Sequence, residues 1–215
     1  MKFTILTLFP NIFDSYLNES ILKRAQENKK ISIEIIDIRK FTDDKHHTVD
    51  DKPYGGGPGM LMKAEPILKA FSSIKKSKDK PAVFLMSAAG KKFTNVTAKQ
   101  YVKKYKNIVL IAGRYEGIDD RVKKILKAQE VSIGDYVLTG GELPAMVLID
   151  AIARHIPGVL GKQESIEENR FGVGIPTYTR PEILKHKGKK YIVPKVLLSG
   201  DHKKINEWRN KQRVL

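Results

Sequence analysis

The sequence has no cysteine among its 215 residues. Disulfide bonds, thiolate nucleophiles and zinc sites with cysteine ligands are therefore excluded. Because a chain without disulfides suits a reducing compartment, we expect a cytoplasmic protein.

Long apolar runs are also missing. The first residues, MKFTILTLFPNIF, include an apolar stretch of about seven residues, whereas a membrane helix needs about 20. No small-residue cleavage site follows this stretch. We interpret it as a buried strand and expect no membrane partner.

Acidic residues are scarce: 24 aspartates and glutamates stand against 40 lysines and arginines, which gives a net charge of +16. Such a chain attracts polyanions, and its binding to them should weaken steeply with salt. Some bacterial proteins are simply rich in lysine, but the distribution here favours a function. Residues 176–215 contain eleven lysines and arginines and three acids, a surplus of eight that is half of the total.

Strand-like apolar runs alternate with helical patterns over the first 160 residues. This alternation predicts an α/β fold with a mostly parallel sheet flanked by helices. Thr94 or Asn95 would cap a helix that runs to about Tyr105. Pro144 suits the first turn of a helix that continues through Arg154. The predicted strands are Phe3–Leu8, Ile31–Ile38, Ala82–Met86, Ile108–Ala112 and Val131–Val137.

The alternating pattern breaks after residue 160. Residues 161–176, GKQESIEENRFGVGIP, are polar and contain glycine, which is typical of a linker or an ordered active-site loop. The basic residues 177–215 follow, and Ile205, Trp208 and Arg209 fall within one helical turn. We therefore predict a large domain over 1–160 and a small one over 177–215.

One glycine-rich run, Tyr54 to Met60, does not match a phosphate-binding motif. It lacks the Lys-Ser/Thr of a P-loop, and Met60 stands where the third glycine of a dinucleotide fingerprint belongs. A tight surface turn is the simplest interpretation. His46 and Asp50 lie on the same predicted loop, however, and its glycines would let the backbone approach a bulky ligand.

Three turns follow predicted strands, at Met86–Gly90, Gly113–Gly117 and Ser132–Gly141. The first of them, taken alone, would be an ordinary strand-to-helix turn. Ligands of open α/β sheets bind at the carboxyl ends of the strands, so neighbouring turns would form one backbone-lined pocket.

The charges near these turns separate two kinds of ligand. Apart from Arg114, the turns have no basic residue that could hold a phosphate. Glu116, Asp119 and Asp135 form an acidic rim instead. Such a rim suits a cationic sulfonium ligand better than a triphosphate.

Histidines 46 and 47, beside Asp43, Asp44 and Asp50, could suggest a metal site. Adjacent histidines diverge on most backbones, and the sequence provides no matching third ligand. We therefore predict no metal site among these residues.

Six runs of the sequence are distinctive and occur in this order: VDDKPYGGGPGMLM, GRYEGIDDRV, IGDYVLTGGELPAM, RHIPGVLG, PTYTRPE and VLLSGDHKKINEWR. Together they resemble the bacterial tRNA (guanine-37-N1)-methyltransferases of the SPOUT class, over nearly the whole chain. The resemblance implies a mostly parallel α/β sheet with a deep C-terminal trefoil knot near residues 85–140. A small, mainly helical C-terminal domain that grips tRNA would follow.

The resemblance also implies the reaction and its participants. A homodimer would transfer a methyl group from S-adenosyl-L-methionine to N1 of guanine 37, in a tRNA with guanines 36 and 37. Dependence on Mg2+ is implied as well, although no local cluster of residues forms an evident cage. Close backbone approach at Gly113 and Gly141 should leave little room for a side chain in the cofactor pocket.

The site residues implied by the resemblance fall into two groups besides the catalytic ones. The cofactor would contact Met86, Ser87, Ala88, Gly113, Tyr115, Glu116, Gly117, Ser132, Ile133, Gly134, Asp135, Tyr136, Val137, Leu138, Gly140, Gly141 and Pro144. The tRNA would contact His46, Asp50, Tyr54, Gly55, Gly57, Gly59, Ser165 and Arg180.

The catalytic residues follow the family pattern with one departure. Arg154 matches the arginine that stabilises charge on the guanine, although an arginine at a helix end more often forms an ion pair. The family's general base is an aspartate in a loop like S-x-x-x-D-S-F, and Asn169 stands at that position here. Asparagine cannot accept the proton at neutral pH, so Glu168 or Glu167 would replace it.

Asn169 leaves a second interpretation open, a catalytically impaired tRNA-binding protein of the same fold. A third is a basic ribosomal or RNA-chaperone module without enzymatic activity. The long α/β domain with its pocket-forming turns argues against the third.

Overall fold

The computed structural model describes residues 1–75, 77–161 and 174–212. The chain forms two compact units, Met1–Leu160 and Gly161–Leu215. The strands are β1 (Lys2–Thr7), β2 (Ser32–Asp37), β3 (Asp50–Asp51), β4 (Leu61–Met62), β5 (Ala82–Lys92), β6 (Asn107–Ile111), β7 (Gln129–Ser132), β8 (Ile183–His186) and β9 (Lys189–Ile192). The helices are α1 (Asp14–Leu17), α2 (Ser20–Glu27), α3 (Ala64–Ser72), α4 (Asn95–Lys104), α5 (Asp120–Leu126), α6 (Glu142–Ala153), α7 (Lys195–Leu198) and α8 (His202–Lys211).

The five predicted strands form the central sheet of the first unit. Its order is β2-β1-β6-β5-β7, and every pairing between neighbours is parallel. The prediction of a parallel sheet flanked by helices is therefore confirmed. Because all five strands point the same way, their carboxyl ends meet at one edge of the sheet.

Alternating side chains of the strands bury both faces of the sheet. Phe3 and Ile5 of β1 pack in the cluster that includes residues of α1, α2, α4 and α6. Leu6 packs in the other cluster, with residues of α3 and α5. A side-chain period of two along each strand produces this division, and it explains why the strands are apolar on both faces.

Two of the predicted boundaries near the sheet were wrong. β7 ends at Ser132 rather than at Val137. Met86–Gly90 is not a strand-to-helix turn but an irregularity inside β5, where the pairing with β7 shifts between Met86 and Lys91. The chain comes so close to β7 here that a Cβ on Gly90 would lie 2.4 Å from the backbone nitrogen of Val131.

The predicted helix termini agree with the structure. Thr94 caps α4, because its side chain accepts a hydrogen bond from the backbone N–H of Thr97 at 3.2 Å. Pro144 lies in the first turn of α6, whose 12 residues are mostly buried. None of the helices in the described part of the chain is long and apolar enough to cross a membrane.

The second unit contains a β-hairpin that the sequence analysis does not predict. Strands β8 and β9 pair in antiparallel fashion, with Ile183 opposite Ile192. The predicted terminal helix is present as α8, and Asp201 caps it by accepting from the N–H of Lys204 at 3.1 Å.

Candidate functional site

Two loops at the carboxyl edge of the sheet and the irregular part of β5 enclose one cleft of about 430 Å³. The loops follow β6 and β7, so the predicted turns do converge. All but two of the residues predicted to contact the cofactor line the cleft. The exceptions are Gly134, which lies against the ring of Tyr136, and Asp135, which pairs with Lys92 at 2.5 Å. Lining residues outside the prediction are Leu85, Ala89, Arg114, Ile118, Asp119, Asp120, Lys123, Glu130, Val131 and Thr139.

Gly141 brings the start of α6 against the end of β6. Its N–H donates to the carbonyl oxygen of Gly113 at 2.8 Å. A Cβ on Gly141 would lie 2.7 Å from the Cα of Ala112, which is backbone and cannot turn aside. At Gly113 a Cβ would meet only the Ile118 side chain, at 3.3 Å. The cleft floor therefore requires glycine at 141 more strictly than at 113.

A buried ion pair, which sequence reasoning missed, joins two of these loops. The Glu142 carboxylate is 2% exposed, and its Oε2 lies 2.9 Å from Nε of Arg114. Its other oxygen accepts a hydrogen bond from the hydroxyl of Thr7 at 2.9 Å. Glu142 also begins α6, where the partial positive charge of the helix terminus favours a carboxylate.

Arg114 is held on several sides. Its guanidinium lies 4.7 Å from the ring centroid of Phe9, and it donates to the carbonyl oxygen of Thr139 at 3.2 Å. With Glu142 beside it, this cation is already neutralised. Because Arg114 is paired with Glu142, its guanidinium is not available to bind a phosphate in the cleft.

The predicted acidic rim is largely neutralised as well. Asp119 accepts from Arg121 at 2.6 Å, and this hydrogen bond holds the pKa of the carboxyl below its usual value. Asp120 pairs with Lys123 at 3.0 Å and with Lys124 at 3.1 Å. Asp135 is paired too, so Glu116 is left as the exposed acid of the predicted rim. The acidic rim is thus a weaker argument for a cationic ligand than the sequence suggested.

Exposed aromatic and apolar side chains line the same cleft. Tyr115 is 47% exposed and adopts φ of 60°, a left-handed conformation that costs energy for a residue with a side chain. Tyr136, Val137 and Leu138 are exposed on the loop after β7. Surfaces of this kind bind a flat ring better than they bind water.

The glycine-rich run after Tyr54 is tied to the cleft at one end. Glu116, which lines the cleft, donates its N–H to the carbonyl oxygen of Met60 at 3.0 Å. A Cβ on Gly59 would lie 2.4 Å from the Cγ of Glu116. At the loop's tip Tyr54 is completely exposed, and Gly55 and Gly57 have φ of 90° and 112°.

The residues around His46 and His47 are engaged in local hydrogen bonds and strand pairing. Nδ1 of His47 is 2.9 Å from the hydroxyl of Thr42. Asp44 accepts from the N–H of Thr48 at 2.8 Å, and this hydrogen bond lowers the pKa of its carboxyl. Asp50 pairs with Met62 between β3 and β4, and His46 is exposed. Within residues 1–75, 77–161 and 174–212, no three His, Asp or Glu side chains form a metal-binding group.

Arg154 does not line the cleft, although it belongs to the same unit. Gly141 precedes α6 at the cleft, and Arg154 follows the last residue of α6. At about 1.5 Å per residue the helix places them about 20 Å apart. Pro157, just beyond, lines a groove with Lys2 and Asn107, the first residues of β1 and β6. The arginine therefore lies at the opposite edge of the sheet from the cleft.

Three predicted site residues lie outside the described residues: Ser165, Glu168 and Asn169. Arg180 is described and exposed, and it belongs to the second unit. The structure therefore brings most of the residues predicted to contact the cofactor to one cleft, and Arg154 is not among the residues that line it.

Comparisons with known proteins match this chain along its full length. The family model for tRNA (Guanine-1)-methyltransferase TrmD matches residues 1–215. A tRNA (guanine-N(1)-)-methyltransferase of Carboxydothermus hydrogenoformans is 51% identical, over 100% of this chain and 83% of its own. Those of Desulforamulus reducens and Bacillus subtilis are 50% and 45% identical, again over 100% of this chain and over 85% and 88% of theirs. The chain therefore belongs to the tRNA (Guanine-1)-methyltransferase TrmD family.

Proposed function

We propose that this chain methylates N1 of guanine 37 in tRNA, with S-adenosylmethionine as the methyl donor. The observation that carries the proposal is the cleft at the carboxyl edge of the sheet, in a chain that the family model matches from end to end. Its relatives at 45–51% identity are named for methylation of a tRNA guanine at N1.

The residues of the cleft fit S-adenosylmethionine. A volume of about 430 Å³ lies within the range of small-ligand pockets. Exposed Tyr136 and Leu138 offer apolar area for an adenine ring, and the loop backbone offers hydrogen bonds to its edge. The cofactor, when bound, supplies a methyl group on a sulfonium.

The remaining chemistry falls to side chains of the protein. The proton on N1 of guanine must leave as the methyl group arrives, and a positioned carboxylate can accept it. We assign this task to Glu168, because Asn169 at the family's aspartate position has no basic oxygen. Arg154 would donate to O6 of the guanine and stabilise the charge that develops there.

The position of Arg154 supports a site that two subunits share. In one chain the arginine and the cleft are at opposite edges of the sheet, about 20 Å apart by the length of α6. The segment that contains Glu168 follows the same end of that helix. A second copy of the chain would supply both groups to the cleft.

An exposed apolar face fits such a homodimer. Leu143 and Val147 lie one turn apart on α6 and are 56% and 44% exposed. Asp150, one turn further, accepts a hydrogen bond from the hydroxyl of Tyr16 at 2.5 Å. Tyr16 and nearby Ile12 are 47% and 38% exposed. Large side chains left in contact with water on one helix face are typical of an interface between subunits.

Subunit sharing predicts a gain of activity on mixing two inactive variants. Arg154→Ala and Gly141→Ala, each alone, should transfer methyl groups slowly. In a mixed dimer one site combines the intact cleft of the first chain with the arginine of the second. After co-refolding, the mixture should approach about a quarter of the activity of the unmodified enzyme.

In the control, the two folded variants are mixed without co-refolding, so that their subunits do not exchange. Activity that stays at the mean of the two separate variants after exchange would contradict a shared site. Light scattering that finds only monomer at micromolar concentration would contradict the dimer itself.

The close approach at Gly141 predicts a graded loss of cofactor affinity. Gly141→Ala must push the loop away from the backbone of Ala112, so S-adenosylmethionine should bind at least about tenfold more weakly. Gly113→Ala should lose less, because the Ile118 side chain can move. Calorimetric titration would measure both.

Gly161→Ala is the matched control, because a Cβ there meets nothing within 4 Å. It should bind the cofactor as the unmodified protein does. The assignment of the cleft is wrong if all three alanine variants have the same affinity.

We also propose that the chain forms the trefoil knot implied by the family resemblance. The loop after β7 leaves the outer strand of the sheet, passes the end of β5 and reaches β6, where Gly141 packs on Ala112. This path supports a trefoil knot near residues 85–140.

One assay tests the proposed activity directly. Radiolabelled methyl transfer should occur to a tRNA transcript with guanines 36 and 37. A transcript in which adenine replaces guanine 37 should accept no label. Equal labelling of both transcripts would refute the assignment of position 37.

A further inference from the structure

The hairpin of the second unit concentrates positive charge at its tip. Strands β8 and β9 are joined by Lys187 and Gly188, whose φ angles of 46° and 74° suit a tight two-residue turn. Every residue of the hairpin is exposed. Between residues 183 and 192 there are four lysines, one histidine and no acid.

Like charges face each other across the two strands at this tip. Lys185 is opposite Lys190, and His186 is opposite Lys189. The apolar pairs, Ile183 with Ile192 and Leu184 with Tyr191, lie at the base instead. Opposed like charges destabilise a sheet, so this arrangement weakens the hairpin in isolation.

Among the described residues, no ion pair relieves this repulsion. In residues 174–212, the described part of the second unit, Asp201 pairs with Lys204 rather than with a hairpin lysine. No carboxylate of the described chain forms an ion pair with the lysines at 185, 187, 189 and 190. A tip with this charge pattern is stabilised when an external polyanion lies against it.

We propose that the hairpin tip, residues 185–190, binds the phosphodiester backbone of the tRNA. The inference rests on the proposed function, since tRNA is the polyanion that the family acts on. Lysine ammonium groups bind phosphates as point charges and carry no sequence preference. The tip therefore adds affinity and leaves the choice of the methylated base to the cleft.

The test removes three charges and keeps the shape of the hairpin. Lys187→Asn keeps a residue that tolerates positive φ before glycine, and Lys189→Thr with Lys190→Thr keeps residues that favour strands. This triple variant should bind the tRNA transcript about tenfold more weakly at 150 mM salt. The slope of log K against log salt should become shallower by about two. At saturating tRNA its methylation rate should equal that of the unmodified protein.

A second measurement on the same variant separates binding from folding. Neutralising the opposed lysines removes repulsion, so the thermal midpoint should stay the same or rise. A variant that binds tRNA poorly because it has unfolded would show a lower midpoint.

The matched control removes three charges from another exposed segment, at the opposite end of β5 from the cleft: Lys75→Thr, Lys78→Asn and Lys80→Thr. Its tRNA affinity should change by less than about twofold, with an unchanged salt slope. Equal losses in both variants would overturn the proposal, because net charge alone would then explain them. An unchanged affinity in the hairpin variant would overturn it too, while methylation by the unmodified protein would leave the proposed function intact.

Discussion

Glu142→Gln should lower the free energy of unfolding by about 3 kcal/mol, the cost typical of removing one partner from a buried ion pair. The amide can still accept from Thr7, but it no longer neutralises Arg114, whose side chain is only 22% exposed. Chemical denaturation monitored by circular dichroism would measure the loss.

Two controls fix the interpretation of that loss. Asp135→Asn breaks the exposed pair with Lys92, whose side chain is 58% exposed, and should cost less than about 1 kcal/mol. Arg114→Met combined with Glu142→Met removes both buried charges and should be less destabilising than Glu142→Gln alone. Equal costs for Glu142→Gln and Asp135→Asn would show that burial of the pair contributes nothing.

The ion pair also explains why the cleft keeps its shape. Arg114 contacts Phe9 after β1, Thr139 in the loop after β7 and Glu142 at the start of α6. A cation surrounded in this way fixes three separate segments relative to each other. Positioning of a bound ligand depends on such support, because small displacements of reacting atoms are costly.

The sheet was predictable because its signal is local. Runs such as Phe3–Leu8 and Ile108–Ala112 are short, apolar and bounded by turn residues, and each became a strand within one or two residues of its predicted bounds. Thr94 and Pro144 were predictable for the same reason, since a cap and a helix start depend on near neighbours.

The parts that escaped prediction depend on residues far apart in sequence. Gly90 interrupts β5 because the backbone of β7 lies against it, and Glu142 is buried because Thr7 and Arg114 surround its carboxylate. No local pattern contains these contacts. The hairpin is different: Lys187-Gly188 between two runs with apolar ends is a turn signal that the sequence does display.

The separation of Arg154 from the cleft was also available from the sequence. A helix from Pro144 through Arg154 carries the arginine about 15 Å from its start, which is the separation that the proposed sharing between subunits accounts for.

Glu168→Gln should lower the single-turnover rate of methyl transfer at saturating tRNA and cofactor by at least about tenfold, because a general base typically contributes about 100- to 10,000-fold. The glutamine keeps the size and hydrogen-bonding capacity of the side chain and removes only its basicity. Cofactor and tRNA affinities should therefore stay within about twofold of the unmodified values. Glu167→Gln, one residue earlier, is the matched control and should keep its rate.

Asn169→Asp tests the same assignment by adding a carboxylate where Glu168→Gln removes one. It restores the carboxylate that the family places there, so the rate should rise or stay unchanged, and it should rescue the Glu168→Gln variant at least in part. Unchanged rates in Glu168→Gln and Asn169→Asp would show that neither position provides the base, and Glu167 would be the next carboxylate to substitute. An unmodified protein without turnover that gains activity through Asn169→Asp would instead be a tRNA-binding protein of this fold whose base has been lost.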